Sequence, residues 1–353
     1  MFDRQSLQDI IIPPSMPIRA AAARIQATQV KILMICDEDQ RLLGTLTDGD
    51  IRRAVSQGEN LEQSVSAIMN RSPKVADESE PDYVVRARMR ALVVREIPKV
   101  DKNHRVVGLV ELHPEDSLPS PEATIVIMAG GRGSRLRPLT DTMPKPMVKI
   151  GGVPVIERQV EAFIRQGFHH FYISVNYLGH MIEEHFGDGS RFGVEIEYVY
   201  ETEPLGTCGA LSLLPPQSKP LIVINGDILT RTDFNALLKQ FNSDDVAATI
   251  GVREHHYRIP YGCVTLDDNR VVALREKPTF WHLVNAGLYV FSPDAIAELP
   301  AGERYDTPQL IEKLINDDRH VNSFRVTEEW IDIGSHEDLL WAQQVVDKES
   351  AGD

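Results

Sequence analysis

From residue 124 onward the chain alternates short β-branched apolar runs with segments of helical periodicity, and this alternation constrains its fold more than any other feature. TIVIMAGG is an apolar run ending in glycine. Ile156, Val160, Phe163 and Ile164 then mark one face of a helix that Gly167 can terminate, and FYISV follows as a strand. VEIEYV alternates in and out, LIVINGD reads as a buried strand, Phe234 to Phe241 as a helix, and VAATIGV again as a strand. Such βα alternation specifies a mostly parallel sheet with helices on both faces, where ligands bind beyond the carboxyl ends of the strands. Chemistry is therefore expected at those ends.

The first such end carries Ala129-Gly130-Gly131-Arg132-Gly133-Ser134-Arg135, and Met143-Pro144-Lys145-Pro146 follows shortly after. Glycines let a backbone approach a nucleotide closely and point N–H groups at phosphate oxygens. The stretch is not a Walker loop, because no GK[ST] follows, and it lacks the third glycine of GxGxxG. Its basic content matters more: residues 132–149 hold Arg132, Arg135, Arg137, Lys145 and Lys149 against Asp141 alone, a net +4. The chain as a whole carries −15, and residues 1–120, with 16 Lys and Arg against 18 Asp and Glu, account for only −2 of it. A charge of this size argues against nucleic-acid or anionic-membrane partners, so an anionic ligand has to be held locally. Asp227 follows the apolar run LIVIN and so stands at a strand end, and Asp332 follows another short apolar segment. Each aspartate alone reads as a cap or turn residue, and Ser335 with Asp338 has capping-box spacing just after Asp332.

The first third of the chain is organised differently. CDEDQRLLGTL at residues 36–46 and VDKNHRVVGLV at 100–110 repeat Asp37, Arg41 and Gly44 as Asp101, Arg105 and Gly108. Each copy reads as an apolar strand, a polar turn and a second strand closed by glycine, with an amphipathic helix nearby. The first copy continues as Thr47-Asp48-Gly49-Asp50, where a hydroxyl and a carboxylate three residues apart can cap a helix or bind ribose hydroxyls. Between this part and the rest lies HPEDSLPSPEA, residues 113–123, whose three prolines suit an exposed connector. No apolar run approaches the ~20 residues of a membrane span, and the N-terminal residues lack the apolar core of a secretory signal. A cytoplasmic location is expected. Cys36, Cys208 and Cys263 are too widely spaced for a CxxC pair or a disulfide framework.

About the first 112 residues resemble a tandem pair of CBS domains, a nucleotide-sensing module, with GTLTDGDI as the specific signal. The resemblance implies that Thr47 and Asp50 hold the ribose of an adenine nucleotide. The second copy departs from the pattern after Gly108, reading Leu-Val-Glu-Leu-His-Pro, so at most one intact cleft is expected. CBS pairs commonly associate, which makes a homodimer plausible on that ground. The segment AGGRGSRLRPLTDTMPKPMVKIGGVPVI closely resembles the signature of sugar-1-phosphate nucleotidyltransferases, and the likeness extends over residues 124–345. Further blocks follow in the family's order: Glu203-Pro204-Leu205-Gly206-Thr207, Asn225-Gly226-Asp227, Tyr261-Gly262, Glu276-Lys277-Pro278, Asn285-Ala286-Gly287 and Trp330-Ile331-Asp332-Ile333-Gly334.

The resemblance implies attack by a sugar-1-phosphate oxygen on the α-phosphorus of a nucleoside triphosphate, with Mg²⁺ on Asp227 and Asp332. Arg135 and Lys145 are then the catalytic cations. Ala129, Gly130, Gly131, Gly133, Glu201, Gly206 and Thr207 bind the nucleotide, and Gly262, Glu276, Lys277, Asn285 and Gly287 bind the sugar phosphate. Lys277 also reads as an exposed strand-end lysine. Glu201 stands where relatives using uracil or thymine often have glutamine; a carboxylate can accept from the N1–H and N2–H₂ pair of guanine. PLGTCGAL further resembles mannose-1-phosphate guanylyltransferases. GTP is therefore the expected donor, with UTP or dTTP as the alternative, and Glu201 as a plain surface residue the competing reading. The fold class expected is α/β: a Rossmann-like mixed-sheet transferase domain at 124–345, a small α+β CBS pair at 1–112, a linker at 113–123 and a tail at 346–353. A non-catalytic nucleotide sensor and a glycosyltransferase using a ready-made nucleotide sugar are the competing functions. The first does not explain retention of Arg135, Lys145, Asp227 and Asp332, and the second has no need of the basic glycine stretch.

Overall fold

The structure, a computed structural model, describes residues 4–28, 30–112, 121–242 and 245–350. The chain divides into two compact units, Met1–Pro119 and Ser120–Asp353; of the expected linker, residues 113–120 lie outside the described residues.

In the first unit, α1 (Arg4–Ile10), β1 (Ile11–Ile12), α2 (Ile18–Ala27), β2 (Ile32–Cys36), β3 (Leu42–Thr47) and α3 (Asp48–Ser56) form one repeat. The second consists of β4 (Ala76–Asp77), α4 (Asp82–Leu92), β5 (Glu96–Val100) and β6 (Val106–Glu111). Each makes a three-stranded sheet in which the first strand pairs parallel with the second and the second antiparallel with the third. The repeated aspartates build the repeated turns. Asp37 Oδ1 accepts from the Asp39 and Arg41 N–H groups at 3.0 and 2.9 Å, and Asp101 Oδ1 accepts from those of Asn103 and Arg105, both at 2.8 Å. The two turns then exchange bonds, Leu42 N to His104 O at 3.0 Å and Val106 N to Gln40 O at 3.1 Å, with the symmetry of an internal dyad. Gly44 and Gly108 do not close their strands as expected; they lie inside β3 and β6. At Gly44 the cause is a close approach. Thr45 exchanges backbone bonds with Asn70, and a Cβ on Gly44 would lie 2.6 Å from Asn70 O.

The second unit opens with β7 (Thr124–Met128), β8 (Lys149–Ile150), β9 (Val153–Pro154), α5 (Val155–Arg165), β10 (His170–Val175), α6 (His180–Phe186) and β11 (Glu195–Tyr200). It continues through β12 (Leu221–Asn225), β13 (Ile228–Thr230), α7 (Phe234–Phe241), β14 (Val246–Arg258), β15 (Cys263–Asp267), β16 (Arg270–Arg275) and β17 (Thr279–Phe291). α8 (Pro293–Ala297), α9 (Thr307–Asn316), β18 (His320–Arg325), β19 (Trp330–Asp332) and α10 (His336–Ser350) complete it. Seven strands form one sheet in the order β11-β10-β7-β12-β17-β14-β18. Only β17 runs against its neighbours; the other four pairings are parallel, so the sheet is mixed but parallel-rich. The apolar runs TIVIM and LIVIN lie side by side as β7 and β12 because both are walled by packing. Val126 and Val223 join Ile296 of α8 and Leu310 and Leu314 of α9 in one cluster. On α5 the expected stripe is buried, and Phe163 stacks on Phe234 of α7 at 3.8 Å.

Two boundaries differ from expectation. The tail expected from residue 346 is helical as far as Ser350, because Ala342 and Val346, one turn apart, both pack with Leu136, Ile150 and Ile333. β14 outruns VAATIGV, continuing to Arg258. Its pairing with β18 ends at Val252, and beyond that point β14 and β17 pair only with each other as a ribbon that β15 and β16 extend. Among the described residues no helix is long and apolar enough to cross a membrane.

Candidate active site

The carboxyl ends of β7 and β12 open into a pocket of about 330 Å³. Eight of the residues expected at a nucleotide site line it: Ala129, Gly130, Gly131, Lys145, Glu201, Gly206, Thr207 and Asp227. Ala129 N donates to Ser174 O at 2.9 Å, and Gly226 N to Met128 O at 2.8 Å, so the glycine turn and the NGD turn are pinned to neighbouring strands. Gly206, at φ +82°, adopts a backbone conformation that glycine takes without strain, and a Cβ there would strike the Tyr305 backbone.

Asp227 and Asp332 meet because β13 and β19 pair. Ile228 is opposite Asp332 in the ladder, and Ile333 N donates to Asp227 O at 3.0 Å. Lys145 lies between the carboxylates: its ammonium donates to Asp227 Oδ2 and stands 3.9 Å from Asp332 Oδ1. Asp332 Oδ1 is buried without a hydrogen-bond donor. Burial, reinforced by the facing Asp227, raises the Asp332 pKa above the ordinary carboxylate value, while Lys145 and Arg135 oppose the rise. Two close carboxylates, one with an unpartnered oxygen, form a donor set that fits a hard divalent cation. Arg135 is exposed beside this centre, close to Gly334, and Gly133 packs against the Lys145 side chain. Ser335 caps the following helix, with Asp338 N donating to its hydroxyl at 3.2 Å, so the cap and the Asp332 site coexist.

Glu201 is buried, not a surface residue. The Ser174 hydroxyl donates to its Oε1, and Leu205 N donates to Oε2 at 2.9 Å. Each carboxylate oxygen keeps a second acceptor direction. Gly130 lies against this carboxylate so closely that a Cβ would collide with it. The carboxylate therefore forms part of the pocket wall directly beside the glycine turn.

The residues expected to hold the sugar phosphate are less gathered, and none lines this pocket. Asn285 and Gly287 adjoin it: Gly287 N donates to Asn285 Oδ1 at 3.0 Å, and a Cβ on Gly287 would lie 2.7 Å from Nδ2 of pocket-lining Asn225. Gly262, Glu276 and Lys277 stand exposed at the junction of the ribbon segments, where Lys277 N donates to Tyr261 O at 3.3 Å. Sequence reasoning missed Arg304 and Asp306, which line the pocket; Asp306 Oδ1 accepts from Thr207 N at 2.9 Å. A signal was present in Asp306-Thr307-Pro308-Gln309, which has the spacing of a helix start, and the Gln309 side chain does accept from Asp306 N at 2.8 Å. Cys208 is buried, with its thiol pushed up to about 12 chiefly by burial, which leaves it no nucleophilic role near neutral pH.

In the first unit a cleft of about 480 Å³ is lined by Thr47, Lys31, Arg52, Lys74 and Arg95 among others. Asp50 does not line it. Its Oδ2 accepts from Thr47 N at 2.9 Å and from the Thr47 hydroxyl at 2.7 Å, closing a capping box on α3.

The nucleotidyl transferase family profile matches residues 124–349, and the CBS domain profile matches residues 7–57. The chain is 34% identical over 227 residues to a mannose-1-phosphate guanylyltransferase of Mycobacterium tuberculosis, covering 61% of this chain and 62% of that protein. It is 32% identical over 238 residues to a UTP--glucose-1-phosphate uridylyltransferase of Synechocystis, covering 62% and 61%. The match thus spans about three fifths of the relatives' length. Among solved structures, HddC from Yersinia pseudotuberculosis complexed with GMP-PN superposes with TM-score 0.50 at 26% identity, covering 63% of this chain and 99% of that one. A glucose-1-phosphate thymidylyltransferase structure from Bacillus anthracis, at 20% identity, TM-score 0.51 and coverage of 63% and 94%, shares the fold.

Proposed function

The chain belongs to the nucleotidyl transferase family and carries a CBS domain at its N-terminus, and on that premise we propose that it transfers a nucleotidyl group from a nucleoside triphosphate to a sugar 1-phosphate, releasing pyrophosphate. The observation that carries this reading is the convergence of Lys145, Asp227 and Asp332 beside the glycine turn at the carboxyl ends of β7 and β12. In the reaction an oxygen of the sugar phosphate bonds to the α-phosphorus as the bond to pyrophosphate breaks. No covalent nucleophile is needed; positioning and charge stabilisation suffice. Lys145 offsets charge at the α-phosphate, Arg135 holds the departing pyrophosphate, and the N–H groups of Gly130 and Gly131 approach the phosphates. A divalent cation on Asp227 and Asp332, which we assign as Mg²⁺, supplies Lewis-acid stabilisation of the triphosphate. Lys277 takes the sugar phosphate, and Glu276, Asn285 and the Gly262 and Gly287 backbones take the sugar hydroxyls.

GTP is the donor we assign. The support is the buried, oriented Glu201 carboxylate, together with relatives named guanylyltransferases and a GMP-PN complex of a structural neighbour. Residues 1–112 are assigned to a CBS-type regulatory pair, 113–123 to the linker and 124–345 to the catalytic core. An adenine nucleotide is proposed to bind the cleft beside Thr47, where four basic side chains can meet its phosphates. Pyrophosphate release, measured over a matrix of GTP, UTP, dTTP, ATP and CTP against sugar 1-phosphates, tests the whole reading. Turnover with GTP that Asp227→Asn reduces at least a hundredfold is expected. Preference for UTP or dTTP overturns the base assignment alone, whereas no pyrophosphate with any pair, in the presence of Mg²⁺, overturns the activity.

A further inference from the structure

Among the described residues, two basic side chains line the pocket, and they are held differently. Lys145 is 11% exposed, packs on Gly133 and donates to Asp227. Arg304 is 73% exposed, and its ion pair with Asp306 Oδ2 is stretched to 3.9 Å. An exposed pair of that length is worth little, so the guanidinium can exchange it for another acceptor. The backbone beneath Arg304 is fixed by contrast. Tyr305 N donates to Leu205 O at 2.9 Å, and Cys208 N and Gly209 N both donate to Tyr305 O at 3.0 Å. Asp306 adds its bond from Thr207 N. A flexible side chain on a clamped backbone starts from a defined origin, which lowers the cost of ordering it on a ligand.

These ties also place Arg304 beside Glu201. Leu205, whose carbonyl accepts from Tyr305, donates its own N–H to Glu201 Oε2 at 2.9 Å. One residue of the loop is thus bonded both to the buried carboxylate and to the neighbour of Arg304, so the two charged side chains belong to adjoining walls. Guanine has edges to match. Its N1–H and N2–H₂ are the donors that Glu201 can accept, and its adjoining edge presents O6 and N7, two acceptors side by side. A guanidinium offers two parallel N–H donors to such a pair, and this is the commonest specific contact made to guanine. Adenine places an N6–H₂ donor where guanine has O6, so an arginine there meets a donor. Uracil and thymine have no N7. An acidic wall next to a basic one therefore fits guanine on both edges and penalises its competitors.

We propose that Arg304 reads the O6 and N7 edge of the guanine base and, with Glu201, sets the nucleotide specificity of the reaction. The assignment rests on GTP as the donor and deepens it by naming a second side chain that recognises the base.

Initial rates with two analogues of GTP test the proposal. In 7-deaza-GTP a C–H group replaces N7; in ITP the N2 amino group is missing while O6 and N7 remain. From GTP to 7-deaza-GTP the unaltered chain is expected to lose about tenfold in kcat/KM, the effect of one hydrogen bond to a charged group. In Arg304→Met that difference is expected to disappear, while the loss from GTP to ITP, which belongs to Glu201, stays as it is in the unaltered chain. Equal turnover of GTP and 7-deaza-GTP by the unaltered chain overturns the proposal and leaves GTP standing as the donor. An equal fall for both nucleotides in Arg304→Met also overturns it, and would put the guanidinium on the phosphates or the ribose. Preference for UTP or dTTP over GTP overturns the donor and the role of Arg304 together. Should Arg304→Met fail to fold, the comparison of GTP with 7-deaza-GTP on the unaltered chain decides alone.

Discussion

At the scale of single residues, the most informative side chain is Glu201. A carboxylate buried among Ser174, Leu205 and Gly130 is costly unless its lone pairs are used, and two protein donors use only half of them. The two N–H groups on guanine's Watson–Crick edge are donors of the right kind for the remainder. Glu201→Gln keeps the shape: the amide oxygen can accept from Leu205 N, and the Ser174 hydroxyl can turn to accept from the amide nitrogen. Yet it removes a charged acceptor pair, and a hydrogen bond to a charged group is worth about 1.5–3 kcal/mol. The variant should fold normally and lose about tenfold or more in kcat/KM for GTP, with UTP less affected. Equal loss for both nucleotides, read from initial rates, would assign Glu201 to holding the loop and not to reading the base.

At the scale of elements, Thr47 and Asp50 show how one motif serves a fold. The Thr47 and Asp50 side chains of the TDGD turn are both engaged in the cap of α3. Removing an N-cap threonine costs about 1 kcal/mol, so Thr47→Ala should shift the unfolding of the first unit by about that amount and leave the second unit's transition in place. Denaturant titration followed by probes in each unit checks this, and a shift in both transitions would mean that the units do not unfold separately. The same elements show what was legible beforehand. The apolar runs that became β7, β10 and β12 were readable because strands walled on both faces are continuously apolar. Asp227 and the glycine turn were readable because they follow those runs directly. The outer half of β14, EHHYR, was not, since a ribbon exposed on both faces imposes no apolar alternation. Arg304 and Asp306 escaped notice for another reason: the tie between Asp306 and Thr207 spans ninety-nine residues, and nothing local in either segment records it.

At the scale of the whole molecule, the acidic charge and the anionic substrates act against each other at different ranges. Most of the −15 lies outside residues 1–120, in the unit that holds the pocket, while the +4 of residues 132–149 is concentrated around Arg135 and Lys145. Lys145 is only 11% exposed, so its pull on a phosphate is felt at contact and is little weakened by salt. The distributed carboxylates repel an approaching triphosphate from much farther away. Screening shortens that reach from about 30 Å at 0.01 M salt to about 10 Å at 0.1 M. At fixed free Mg²⁺, kcat/KM for the nucleotide should therefore rise by a few-fold across this interval, because the long-range repulsion disappears before the contact attraction does. A monotonic fall from the lowest salt would show that steering by the basic loop outweighs the acidic surface at long range. Arg135→Gln separates the two contributions. It lowers kcat/KM at every ionic strength yet should preserve the rise, since the charges responsible for the repulsion lie elsewhere on the surface.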